Sequence, residues 1–249
     1  MTHKFSNDLL PITNSGDGDN RYHDNDSKEL YERNLKIESS DWEYRHKRIT
    51  YKLNTNGYRT FEFNKIPWDK TVVMFGCSNM FGVGVCLKDT IPGTFSSITN
   101  IPSINLGVPG CSLQYMLYNS AMFRKKYPKP RAVVFDIPDA SRCTLFIPQG
   151  HNEYQSVHCG NWAEDVSDLG KTWRRFDMNC IMHHRYLRAS IQQMGDDIPY
   201  VDFSLFPSNQ RIIPECKVIK TIDAARDKDH PGSKTNKIIS EYIASELDL

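Results

Sequence analysis

A serine early in the chain and an aspartate and a histidine late in it have the types and the order that nucleophilic serine catalysis needs. Ser78 lies in Thr71-Val-Val-Met-Phe-Gly-Cys-Ser-Asn-Met-Phe-Gly82, and Asp227 and His230 lie in Asp227-Lys-Asp-His-Pro-Gly232. A hydroxyl becomes a nucleophile when a base beside it takes its proton, and an imidazole serves best when a carboxylate fixes its tautomer. The step of three residues from Asp227 to His230 lets one tight loop supply both. Asp223 and Asp229 are near enough in the chain to compete for the orienting role.

The elements that must position these residues follow from the pattern around them. Val72 to Phe75 is an unbroken apolar run, as in a strand buried on both faces of a parallel sheet, and Gly76-Cys-Ser-Asn79 reads as a sharp turn at its C-terminal end. Open α/β sheets bind ligands at that end, and a helix starting there offers free N–H groups to negative charge. Further strands are expected over 103–107, 131–137 and 198–205, with a fifth strand or a connection over 216–222. Helices are expected over 87–98, capped at Thr90, over 112–127, over 176–195, and from a cap at Ser233 to the end. Strands alternating with helices predict a parallel sheet covered on both faces. Right-handed crossovers then bring the turns at Ser78, Gly110 and Asp139 to one rim. The loop before the last helix can reach that rim.

Two stretches lie outside this alternation. Residues 143 to about 175 show little periodicity and are punctuated by Gly150, Gly160 and Gly170, which predicts a long insertion over the rim. At the other end, residues 1–28 read as a polar arm with a Leu9-Leu-Pro-Ile12 patch able to dock, followed by a short helix over 27–38. Ile49, Tyr51 and Leu53 alternate with polar residues before Asn56-Gly57, and Tyr58, Phe61 and Phe63 follow, which predicts a β-hairpin packed on the main domain. The expected organisation is an N-terminal extension over 1–69 and an α/β domain over 70–249.

At this point the residues resemble those of the SGNH hydrolases, the GDSL-type esterases and lipases. The family's first block, Gly-Asp-Ser-x-Thr-x-Gly, is similar to Gly76-Cys-Ser-Asn-Met-Phe-Gly82; its second to Asn105-Leu-Gly-Val-Pro-Gly110; its last to Asp227-Lys-Asp-His230. Asn54-x-x-Gly57-Tyr-Arg59 is similar to the lead-in of some bacterial and phage members. The resemblance covers roughly residues 70–247. It implies a three-layer, flavodoxin-like α/β/α domain and a serine esterase with Ser78 as nucleophile, His230 as base and Asp227 as orienter. The amides of Ser78 and Gly110 would form the oxyanion hole, and no metal or cofactor is needed. The implied substrate is an ester, such as an O-acetyl group on a sugar or glycan. Two positions depart from the family. Cys77 stands for its aspartate, and the Gly-x-Asn-Asp block reads Ile137-Pro-Asp139-Ala-Ser141-Arg142. An ionised Asp139 cannot donate to an oxyanion as asparagine does, which leaves a protonated Asp139, Ser141 or a main-chain N–H as substitutes, with Arg142 as a contact for an anionic substrate or a partner for Asp139.

Rival readings are weaker. A non-catalytic module of the same fold, binding carbohydrate or built into a phage particle, is the alternative that the altered block favours. A nucleotide binder is disfavoured because Gly82-Val-Gly84 lacks the Gly-Lys-Ser/Thr ending of a phosphate loop. His183 and His184 diverge on a helix and do not make a joint metal site. The net charge of +1 gives no global pull towards nucleic acid, and seven cysteines without paired short spacings suggest reduced, buried thiols. No apolar leader or membrane-length run is present, so the expected setting is cytoplasmic or virion-associated.

Overall fold

The computed structural model describes residues 3–4, 9–10, 21–150, 153–160, 177–194 and 197–249. Five strands form the central sheet: β2 (Val72–Gly76), β3 (Ser103–Gly107), β4 (Ala132–Asp136), β7 (Tyr200–Ser204) and β8 (Lys217–Val218). Their order is β3-β2-β4-β7-β8 with every pairing parallel. This is the flavodoxin-like order, with its switch point between β2 and β4.

Alternation along the strands divides the core into two layers. Val73 and Phe75 of β2, with Val133 and Phe135 of β4, face α4 (Leu113–Lys126) and α5 (Asp177–Met194) through Met116, Phe123, Leu187 and Ile191. Val72, Met74, Ala132 and Val134 face α3 (Ile91–Thr99) and α7 (Ser233–Glu246) through Phe95, Ile239 and Ile243. Thr90 caps its helix as expected, and side chains also cap α1 (Lys28–Ile37) at Ser27 and α4 at Ser112. The last helix is not capped by Ser233. Ser233 is its first residue, and the cap is the carboxylate of Asp223, which accepts from the Lys234 and Thr235 amides at 2.9 and 2.8 Å.

The hairpin expected over 48–63 is absent. Tyr51 to Arg59 is a looped turn with no partner strand. Asn54 organises it: Oδ1 accepts from the amides of Asn56 and Tyr58, both at 3.0 Å, and Gly57 sits at φ +79°. The antiparallel pair lies instead in the expected insertion. There β5 (Cys143–Gly150) pairs with β6 (Glu153–Cys159), and β1 (His3–Lys4) adds to β6. Residues 161–176 and most of the arm lie outside the described residues. Where the arm is described it is anchored: the Leu10 amide donates to Asn119 Oδ1 at 2.8 Å, and Tyr58 Oη donates to the Leu10 carbonyl. Tyr44, Ile49, Tyr51 and Tyr58 share one buried cluster with Phe75 and Phe135, so the N-terminal segment closes the α4 side of the core.

Candidate active site

Ser78 opens α2 (Ser78–Phe81), one turn of helix leaving β2, and is 6% exposed. The turn is tight. Gly82 ends it at φ +82°, and the amides of Gly82 and Val83 both return to the Ser78 carbonyl, at 3.0 and 3.2 Å. The neighbouring strand packs flush on this turn, because a Cβ at Gly107 would lie 2.4 Å from the Phe81 nitrogen. The loop after β3 is tied to the base of the same turn. The Val108 amide donates to the Gly76 carbonyl at 2.9 Å, and Gly110 follows at φ +77°.

The Asp227–His230 loop supplies its own orientation. Asp227 Oδ2 accepts from His230 Nδ1, and Oδ1 accepts from the His230 and Asp229 amides at 3.3 and 3.4 Å. With the proton on Nδ1 held by a carboxylate, Nε2 is the free base. Asp227 and His230 are both buried, whereas Asp229 is exposed and Asp223 is engaged at α7. The orienter that the geometry puts on His230 is therefore Asp227. Arg226 N donates to the Gly84 carbonyl at 3.0 Å, and a Cβ at Gly84 would come within 2.9 Å of Asp227 Oδ1. The loop carrying His230 thus lies against the loop leaving Ser78. Ser78 Oγ and His230 Nε2 make no hydrogen bond among the described residues. Such bonds are often long in unliganded enzymes.

Sequence reasoning did not foresee what holds the two loops. The Arg59 guanidinium is buried and donates to four carbonyls: Phe81 (3.2 Å), Gly82 (2.6 Å), Val85 (2.9 Å) and Thr50 (2.7 Å). Burial pulls its pKa down to about 10, so it remains a cation at neutral pH. Its Cζ lies 4.5 Å from the centroid of the Tyr51 ring, which stacks on Phe81, and Tyr51 Oη accepts from the Gly84 amide at 2.8 Å. The signal available was the Asn54-x-x-Gly57-Tyr-Arg59 run, whose Asn-led turn aims Arg59 inward. His23, also buried, packs against both the Tyr51 and Phe81 rings at a tilt and near His230; burial lowers its pKa to about 4, so it is neutral at pH 7.

The segment after β4 behaves differently from expectation. Asp139 accepts from the Ser141 amide at 2.9 Å and from Ser208 Oγ at 2.6 Å. Burial would raise its pKa, but these hydrogen bonds outweigh burial and lower it. An ionised, engaged Asp139 is not the protonated donor the sequence left open. Ser141 belongs to the same turn through its amide. The Arg142 guanidinium lies against the Phe206 ring at 4.8 Å; burial raises the pKa of Asp136, Cys77 and Cys111, and the Arg142 charge offsets part of that rise. Beneath Ser78, Cys77 Sγ donates to Asp136 Oδ2 at 3.4 Å. Burial pushes the Cys77 thiol up to about 11 and the Asp136 carboxyl up to about 6, so Cys77 is an inert packed thiol.

Among the described residues no cluster of three or more His, Cys, Asp or Glu side chains is placed to hold a metal ion, and His184 is buried while His183 is half-buried. No described helix is long and apolar enough to cross a membrane.

No protein-family model and no curated protein matches the chain. Solved structures similar to it are SGNH/GDSL lipolytic proteins and esterases. AlinE4, an SGNH-hydrolase family esterase, is 15% identical with a TM-score of 0.36, over 74% of this chain and 75% of that one. A member of the lipolytic protein G-D-S-L family from Veillonella parvula is 16% identical with a TM-score of 0.36, over 71% and 96%. A carbohydrate esterase family 2 enzyme from Corynascus thermopiles, with its carbohydrate-binding domain, is 13% identical with a TM-score of 0.44, over 72% and 67%.

Proposed function

We propose that the protein is a serine esterase that hydrolyses a small acyl ester through an acyl-serine intermediate. The observation that carries this reading is the Asp227–His230 hydrogen bond, formed on a loop fastened to the turn that presents Ser78. Ser78 Oγ attacks the ester carbonyl while His230 Nε2 takes its proton, and the same proton then goes to the leaving alkoxide. Water attacks the acyl-serine by the reverse sequence. Asp227 keeps the proton on Nδ1 and stabilises the imidazolium. The amides of Ser78 and Gly110 receive the oxyanion. With Asp139 ionised and engaged, the third donor is missing, and turnover slower by about 10²–10³ than with a full set is expected. Ser78 and His230 are 6% and 7% exposed, which favours a small acyl group such as acetyl, including an O-acetyl group on a sugar.

The test is p-nitrophenyl acetate hydrolysis by wild type and Ser78→Ala, with fluorophosphonate labelling of both. Turnover and labelling that disappear in the variant support the esterase. Equal background rates and an unlabelled wild type would favour the non-catalytic binding or structural module.

A further inference from the structure

Arg226, the residue before Asp227, is held from three sides by segments that supply none of the three reacting side chains. Its amide donates to Gly84 O, and its carbonyl accepts from Asn34 Nδ2 of α1 at 3.0 Å. Its guanidinium makes a fork to Asp26, with Nε to Oδ1 at 2.9 Å and Nη2 to Oδ2 at 2.7 Å, and Nη2 also reaches the Arg21 carbonyl at 2.8 Å. The Tyr22 and Tyr31 rings lie 5.4 and 4.9 Å from its Cζ. Asp26 is fully buried and takes a further hydrogen bond from Tyr51 Oη.

A buried ion pair is costly to desolvate and is weakly explained by stability alone. Its position beside the carboxylate that serves His230 gives it another consequence. Burial raises the Asp26 carboxyl, and the Asp227 charge adds to this. Asp227 follows Arg226 directly in the chain, so it is the alternative carboxylate for a guanidinium released from Asp26. Released from Asp26, it would neutralise Asp227 and repel an imidazolium on His230. We propose that Asp26 and Arg226 are positioning residues of the Asp227–His230 pair: Asp26 sequesters the Arg226 guanidinium, and the Arg226 backbone fixes the loop against Gly84. The proposal rests on the esterase reading. Of the other charged or titratable groups, Asp229 shares the loop of His230, and His23 lies close enough to feel the charge of His230 together with those of Asp24, Arg59 and Asp227. Lys228 is turned away to Glu38 at 2.7 Å.

The experiment compares wild type, D26N and D26N/R226Q, each checked by thermal melting. It reads the acid limb of kcat/KM on p-nitrophenyl acetate and, independently, the titration of the His230 ring by NMR. D26N leaves the Arg226 charge uncompensated beside the Asp227–His230 loop, and a nearby cation disfavours the imidazolium, so both titrations are expected to move down by roughly one pH unit. Its kcat/KM is expected to fall about tenfold. The double variant leaves no buried charge unpaired and is expected to return both titrations to the wild-type position. If D26N does not fold, R226K carries the test, because lysine keeps the charge but cannot make the fork; a downward shift of about half a unit is expected. A folded D26N or R226K with unmoved titrations overturns the proposal, since a purely structural latch would slow the enzyme without moving them. A wild type without Ser78-dependent turnover overturns the esterase reading instead, and the ring titration still decides the positioning.

Discussion

Gly84→Ala strikes the contact that joins the two halves of the site. Gly84 sits at φ +75°, and a Cβ there would lie 2.7 Å from Ala225 Cβ, 2.9 Å from Asp227 Oδ1 and 3.0 Å from Arg226 N. The left-handed backbone costs a side chain about 1–2 kcal/mol. Relieving the overlap costs about 1–3 kcal/mol more. A total of about 2–5 kcal/mol lowers Tm by roughly 4–20 °C in a chain of this size. The functional effect is separable. To regain a 3.4 Å contact, Asp227 must withdraw by about half an ångström, carrying with it the carboxylate that holds His230 Nδ1. Misplacement on that scale costs about 10–10² in rate. The expected result is a folded enzyme with kcat lowered 10–10²-fold and KM nearly unchanged. Gly93→Ala is the control. Its Cβ would meet the Leu87 carbonyl at 2.3 Å, so it destabilises comparably but touches neither loop. A Gly84→Ala protein that melts lower yet keeps kcat within about twofold of wild type would refute the claim that this contact sets the Asp227–His230 geometry.

Two further outcomes concern pH. Burial raises the Asp136 carboxyl from 3.8 to about 6, so the native state holds this proton more tightly than the unfolded chain does. Its contribution is fully present below pH 3.8 and is lost as pH rises through 6, on the order of 3 kcal/mol. The stability of Asp136→Asn relative to wild type, from urea unfolding, is expected to move in the variant's favour by that amount between pH 3.5 and 7; a constant difference would rule it out. His23, His158 and His184 behave oppositely, each lowered by burial from 6.5 to about 4. Their contribution is present above pH 6.5 and is lost as pH falls towards 4. At pH 5 unfolding should take up roughly three protons at these rings and release one from Asp136, a slope that unfolding curves at pH 5.0 and 5.5 measure directly. Stability that stays flat from pH 6.5 to 5 would contradict the burial of these rings.

The parallel sheet was legible because its strands are buried on both faces. Val72–Phe75 and Ala132–Phe135 have no polar face to preserve, so they read as apolar runs, whereas Tyr200–Phe203 carries Asp202, buried in a pair with Arg188. Thr90 was legible as a cap because it bonds an amide three residues on. The false hairpin over 48–63 came from a true alternation. Ile49 and Tyr51 are buried while Thr50 and Lys52 are exposed, but the pattern reports only an extended chain with one side on the core. It cannot say whether another strand lies beside it. The hairpin over 143–159 was missed for the converse reason. Thr144, Tyr154 and Cys159 are buried and Phe146 is exposed, because this pair packs against α4 through Tyr115 and Ser112 rather than over a sheet face. A polar threonine inside and a phenylalanine outside erase the period-two signal.

The site was half legible, and the division follows the range of the interactions. Asp227 and His230 stand three residues apart, so one loop encodes their contact. What sets that loop against Ser78 joins Asp26 to Arg226 across 200 residues, and Arg59 to the carbonyls of Phe81, Gly82 and Val85. These are charged side chains in buried positions, where composition and periodicity assign solvent exposure. Each cation is stable there only because carboxylate or carbonyl oxygens from another segment surround it. The segment from Arg21 to Arg59 therefore packs against the loops that carry Ser78 and His230. Asp26 and Arg59 both hold the Gly82–Val85 loop, one through Tyr51 and Arg226 and the other directly. Loss of either grip is expected to loosen the turn carrying Ser78 relative to the loop carrying His230, while the sheet stays intact.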